Sequence, residues 1–338
     1  MDIPFSSVLG HETVRRHLWG AVLADSVSHA YIFEGNPGVG RHSMAYALAE
    51  TLMCTENRDA LGGIRACGCG NCVACRTVRD GNHPDVRVIG LLKDKKEITV
   101  KQIREELVAE MAIRPYYGGR KIFIVENAEA MNPAAQNALL KTLEEPPAYG
   151  VIILITTSAA ALLSTVESRS VKIGFQPLPE DTVRAELVRR GFPAETVALG
   201  TTFSGGSLGQ ALAACADESF TDMRRDIYAL LSEAPGKSAG WLLGQEKSLE
   251  TYKANAQNLL SLMETWFRDV LVLKQTGDRT ALLSADYADA LARAARVYSS
   301  AQLARVIWQI RDVGEKLSQN GNYALSMDNL LLALETSE

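Results

Sequence analysis

The chain has 338 residues, 47% of them apolar and 22% charged, with a formal net charge of −5. That balance is an ordinary globular one with room for two or three domains, and the negative sum argues against wholesale coating of a nucleic-acid backbone, leaving at most a local basic patch. No apolar run approaches a membrane span, and "MDIPFSSVLGHE" has neither the basic nor the apolar segment of a leader, so a cytoplasmic protein without a membrane partner is expected.

In chain order, "HAYIFEG" (29–35) reads as a strand entering a glycine loop, "GNPGVGRHS". A phosphate-binding loop, G-x-x-x-x-G-K-[ST], cradles phosphates with backbone amides, reaches them with lysine and binds magnesium through the hydroxyl. Here Gly35, Gly38 and Gly40 keep the loop, but Arg41 replaces the lysine, His42 replaces the hydroxyl and Ser43 is displaced by one residue. Arginine keeps the charge on a planar fork that is not equivalent to an ammonium. Gly35, Gly38, Gly40 and Arg41 therefore form a degenerate loop with weak or no nucleotide binding. "SMAYALAETLMC" (43–54) then reads as a helix with Met44, Ala47, Leu48 and Leu52 on one face.

Five of the six cysteines, Cys54, Cys67, Cys69, Cys72 and Cys75, share one short window. Clustering of this kind in a protein without a secretory leader points to metal rather than disulfides. Cys69, Cys72 and Cys75, with Cys54 from the end of the preceding helix, supply four thiolates for a closed, structural Zn²⁺ site. Cys67 competes for one of those places. An iron–sulfur cluster is the contending metal reading, and free surface thiols are the bland one. Cys215 stands alone as a small apolar residue.

"KIFIVENAE" (121–129) and "GVIILITTS" (150–158) are continuous apolar runs of strand length, as in a parallel sheet covered on both faces. Between them a helix opens at Asn132-Pro133 and closes at Pro146-Pro147. Strands alternating with helices give an α/β layered domain. After about residue 177 the pattern is helical, with Leu259, Leu262, Met263, Trp266, Val270 and Leu273 on one stripe and Leu303, Val306, Ile307, Ile310 and Val313 on another. "FSGGSLGQ" (203–210) interrupts the series at the mouth of a small helical lid. Three domains are expected: 1–175 α/β with a zinc knuckle at 54–75, a helical lid at 176–214 and an all-α domain at 215–338. Glu144 and Glu145 read as solvent-facing, because adjacent helical positions diverge. His83, before Pro84, reads as a turn residue, and Trp266 and Trp308 as core.

The succession "FSSVLGHE", "HAYIFEGNPGVG", a cysteine knuckle, "GNHPDV", "RPYYGGRKIFIVENAEAMNPAAQNALLKTLEEPP" and "ESRS" resembles bacterial clamp loaders. The match runs from about Phe5 to Phe175, and "LSQNGNYALSMDNLLLALE" resembles the end of the family's helical collar less distinctively. The resemblance implies an AAA+ domain with a RecA-like parallel sheet, then the lid and a collar domain. It also implies a part in the DNA polymerase III assembly that loads the sliding clamp onto primed DNA. Tau/gamma and delta subunits and the sliding clamp are the implied partners, with DNA met mainly through the complex.

Two kinds of subunit share these motifs: tau/gamma subunits hydrolyse ATP, and the delta-prime kind is a stator. Asn127 stands where the family has the carboxylate that activates water, and Gly209 where active subunits carry an arginine for the γ-phosphate. With the altered loop, these departures imply the stator kind, without intrinsic ATPase activity and with doubtful ATP binding. Thr156 and Thr157, where the family senses γ-phosphate, then only finish a strand. Arg169, preceded by Ser168, matches the serine-arginine motif whose arginine acts in trans on a neighbour's ATP; the motif's usual cysteine is Ser170 here. An active tau/gamma-type ATPase is one alternative, opposed by Arg41, His42, Asn127, Gly209 and the lack of a long C-terminal extension. A zinc-dependent DNA-binding protein is the other, but Arg65, Arg76 and Arg79 give the knuckle only a thin basic surface.

Overall fold

The computed structural model describes residues 5–59, 62–93, 95–117, 119–216, 218–318 and 321–335. The first four residues, on which the leader reading partly rests, lie outside them. The chain divides into two compact units, Met1–Val183 with Gly206–Gly209, and Arg184–Gly205 with Gln210–Glu338.

Among the described residues, five strands build the first unit: β1 (Ala30–Glu34), β2 (Val86–Ile89), β3 (Lys121–Val125), β4 (Gly150–Thr156) and β5 (Val171–Gly174). Every pairing is parallel, in the order β2-β3-β4-β1-β5, with Ile32 opposite both Leu154 and Lys172. This is the parallel sheet that the apolar runs led one to expect. Its helices are α1 (Glu12–Leu23), α2 (Arg41–Met53), α3 (Val73–Arg79) and α4 (Val100–Gln102), which runs through a π-helical stretch (Ile103–Val108) into α5 (Ala109–Met111), then α6 (Pro133–Glu144) and α7 (Ser164–Glu167).

Alternate strand residues serve two cores. Tyr31, Phe33, Ile122, Ile124, Val151 and Ile153 pack with Leu18 of α1 and Met44, Leu48 and Leu52 of α2. Ile32, Phe123, Val125, Ile152 and Leu154 pack on the other face with Ile103, Leu107 and Leu139 and Leu143 of α6. Two covered faces explain why β3 and β4 read as unbroken apolar runs. Helix α6 starts as expected, with the Asn132 side chain accepting from the Ala135 amide and Pro133 at the first turn. The edge strands β2 and β5 were not among the expected strands. Only the ends of β2 are buried, and in β5 only Ile173, so neither carries a run.

In the second unit no described residue is in a strand. Helix α8 (Glu180–Arg189) leads into it, followed by α9 (Ala194–Phe203), α10 (Leu208–Ala216), α11 (Glu218–Glu233), α12 (Ala239–Leu243), α13 (Glu246–Glu250), α14 (Ala256–Thr276), α15 (Ala288–Val297), α16 (Ser300–Ser318) and α17 (Tyr323–Ala333). Leu259, Leu262, Met263, Trp266 and Val270 of α14 share a core with Leu303, Val306, Ile310 and Val313 of α16. Trp308 corrects the core expectation: it is 64% exposed, because it falls two residues from both Val306 and Ile310 and so points away from their face. No helix among the described residues is long and apolar enough to cross a membrane.

Candidate functional site

Helix α2 joins two candidate sites. At its N-terminus the glycine loop keeps its backbone, with Gly35, Gly38 and Gly40 at φ 153°, 76° and 116°. A Cβ on Gly35 would lie 2.5 Å from the Phe175 carbonyl oxygen, so that position admits only glycine. The side chains are engaged elsewhere. Arg41 is 5% exposed, and its Nη1 donates to the Thr156 carbonyl at the end of β4. Burial lowers the guanidinium's pKa, against the opposing effect of Glu129. His42 Nδ1 stands 3.1 Å from Glu126 Oε1, a hydrogen bond that holds the Glu126 carboxyl below its ordinary value despite burial. Asn127 follows in the left-handed region at φ 49°, a conformation asparagine tolerates. Thr156 Oγ1 donates to the Ser158 carbonyl at 2.9 Å, and Thr157 Oγ1 to Glu129 Oε1 at 3.1 Å.

The segment Gly206–Gly209 closes over this loop. The Gly209 amide donates to the Gly38 carbonyl at 2.9 Å, and Ser207 Oγ donates to the Pro37 carbonyl at 2.9 Å. A Cβ on Gly209 would sit 2.8 Å from Gly38 Cα. Gly209 therefore has no room here for a side chain unless the two backbones separate.

At the C-terminal end of α2, Cys54 caps the helix, and Cys72 caps the start of α3 with its sulfur accepting from the Cys75 amide at 3.4 Å. The sulfurs of Cys54, Cys69, Cys72 and Cys75 all lie within 4.8 Å of one another, with Cys54–Cys72 and Cys69–Cys75 each at 4.0 Å. Four ligands about 2.3 Å from one tetrahedral ion stand roughly 3.8 Å apart, so the quartet fits a single ion. Amides of Asn71 and Cys72 donate to Cys69 Sγ at 3.4 and 3.3 Å. Burial raises the Cys72 thiol, but hydrogen bonds from Cys75 and Thr55 outweigh it and bring its pKa to about 6. Cys67 stands apart from the quartet: its sulfur accepts from the Phe5 amide at 3.1 Å, and burial raises its pKa.

Two arginines brace the knuckle. Arg58 donates to the Cys54 and Leu52 carbonyls at 2.9 and 2.6 Å, satisfying the last carbonyls of α2. Arg79 ties α3 to α2 through both oxygens of Glu50, at 3.2 and 3.1 Å. Sequence reading missed Arg58, whose only signal is a basic residue shortly after a helix end.

Ser168 caps α7, and Arg169 follows it. Arg169 Nη1 donates to the Thr165 carbonyl at 3.0 Å and to Ser168 Oγ at 3.3 Å, while Nη2 pairs with Glu144 Oε1 at 2.9 Å. Glu144 and Glu145 are both exposed, as expected, and Glu144 is in addition partnered. His83 keeps the expected turn role, its Nδ1 accepting from the Asp85 amide at 3.1 Å.

A family model described as "DNA polymerase III, delta subunit" matches residues 10–179, and one described as "DNA polymerase III, delta subunit, C terminal" matches residues 247–336. The chain is 26% identical over 328 residues to DNA polymerase III subunit delta' of Bacillus subtilis, covering 95% of each. It is 39% identical over 183 residues to subunit delta' of Pseudomonas aeruginosa, about half of each chain at 53%. It is also similar to DNA polymerase III subunit tau of Escherichia coli, 32% identical over 183 residues, which are 54% of this chain and 27% of that one.

Proposed function

We infer a role from a premise the matches supply: the chain belongs to the DNA polymerase III delta-subunit family. The reading is a clamp-loader subunit of the delta-prime, stator kind. It works with tau/gamma and delta subunits to place the sliding clamp on primed DNA, which it meets mainly through the complex. Within it, residues 1–175 serve as the AAA+ domain, 176–214 as the lid and 215–338 as the collar that holds the assembly together.

The observation that carries the stator reading is the self-occupied phosphate loop. Arg41 is turned onto Thr156, His42 onto Glu126, and Gly209 rests on Gly38. Neither Arg41 nor His42 is available to a phosphate unless its contact breaks, and Asn127 offers no carboxylate to accept a proton from water. The isolated chain supplied with Mg-ATP is expected to show no turnover above buffer. Hydrolysis at the rate of a tau/gamma subunit assayed beside it would overturn the reading. In the complex, Arg169 needs no nucleotide of its own, because a finger acts on charge developing at a neighbour's phosphate.

The knuckle is a structural Zn²⁺ site held by Cys54, Cys69, Cys72 and Cys75, with Cys67 outside it. An iron–sulfur cluster distributes its thiolates over more than one iron, whereas these four sulfurs converge at single-ion spacing. The DNA-binding alternative is weakened by Arg65 and Arg79, which pair with Asp59 and Glu50.

A further inference from the structure

We propose that Glu144 is a positioning residue for Arg169, holding one end of the guanidinium so that its remaining edge faces outward to a neighbouring subunit's nucleotide. This rests on the reading of Arg169 as a finger acting in trans. A guanidinium carries five N–H donors in a rigid plane. Thr165 and Ser168 engage Nη1, and Glu144 contacts Nη2 at 2.9 Å. Among the described residues the Nε–H and one N–H of Nη2 have no further partner, and paired donors of this kind match two phosphate oxygens.

The two anchors come from different elements. Thr165 belongs to α7, while Glu144 is the last residue of α6, where Pro146-Pro147 halt the helix. The direction of the guanidinium is therefore set by two helices rather than by one long, rotamer-rich side chain. Arg169 and Glu144 side chains are 36% and 50% exposed, so the free edge lies at the surface. An exposed ion pair biases such a geometry by about two- to fivefold, which sets the size of the effect.

The test is clamp-stimulated ATP turnover by a reconstituted loader containing this chain, with kcat and KM for ATP separated. Arg169→Ala should give the largest loss. Glu144→Ala should lower kcat about two- to fivefold at unchanged KM, and Glu144→Gln, which keeps an acceptor oxygen, should lose less. The double variant should match Arg169→Ala alone, since Glu144 acts only through the arginine. If Arg169→Ala lowers turnover but Glu144→Ala leaves it unchanged, raises it, or adds a further loss to the arginine variant, the proposal is wrong. If Arg169→Ala itself has no effect, the finger reading fails and takes the proposal with it. Should Glu144→Ala melt early or fail to assemble, the near-isosteric Glu144→Gln decides, and a kcat equal to the unmodified chain's then counts against positioning.

Discussion

The two ends of helix α2 differ in how their chemistry depends on sequence. At Arg41 the helix opens from a loop whose glycines take positive φ, the loop we read as a degenerate phosphate loop, while Arg41 and His42 bond their own chain. At Cys54 it closes in a knuckle where four sulfurs converge at the spacing of one tetrahedral ion. A phosphate loop owes its shape to glycine conformations, so the shape outlives the loss of lysine and hydroxyl. A thiolate site has no such separation, because its ligands are both its shape and its chemistry. Retained backbone is therefore weak evidence of retained function at one end, and convergent side chains are strong evidence at the other.

Breaking the knuckle should have the largest effect. Chelation, or Cys72→Ser, is expected to cost roughly 4 kcal/mol or more, because metal binding and local folding are coupled in closed thiolate sites. Calorimetry should show the loss, and limited proteolysis should cut first within 54–75. Cys67→Ser sharpens the contrast: it should keep one zinc per chain by elemental analysis, and loss of zinc there would place Cys67 among the ligands. At the other end of α2, Gly209→Ala should cost roughly 1–3 kcal/mol, since the added Cβ would force the Gly38 backbone away. A urea midpoint equal to that of the unmodified chain would show that the segment does not rest on the loop.

The smallest effect belongs to the His42–Glu126 pair. Glu126 is held below its ordinary value, so its contribution is present above the unfolded carboxylate range and is lost as pH falls through the depressed folded value. With the Glu126 side chain 32% exposed, His42→Ala should cost under about 1 kcal/mol near pH 6. That difference should shrink as pH drops below about 4. Denaturant titrations at the two pH values measure it, and a difference that grows on acidification would contradict the assignment.

Much of this was legible in the sequence for identifiable reasons. Strands β3 and β4 declared themselves because both faces are covered, and α6 because Asn132, Pro133 and Pro146 mark its ends. Edge strands β2 and β5 stayed hidden because half-exposed strands lack a run. The cysteine quartet was readable from spacing, whereas the exclusion of Cys67 depends on a contact with Phe5, 62 residues away in sequence. Nor could spacing reveal that Arg41 reaches Thr156 or that Arg169 meets Glu144, since each contact joins elements that only the sheet and its helices bring together.

The contrast between the ends of α2 is tested most directly by native mass spectrometry of the isolated chain in excess Mg-ATP. The account predicts one dominant species, the chain plus one zinc ion and no nucleotide. A species carrying nucleotide in stoichiometric amount, or a folded chain without zinc, would contradict it.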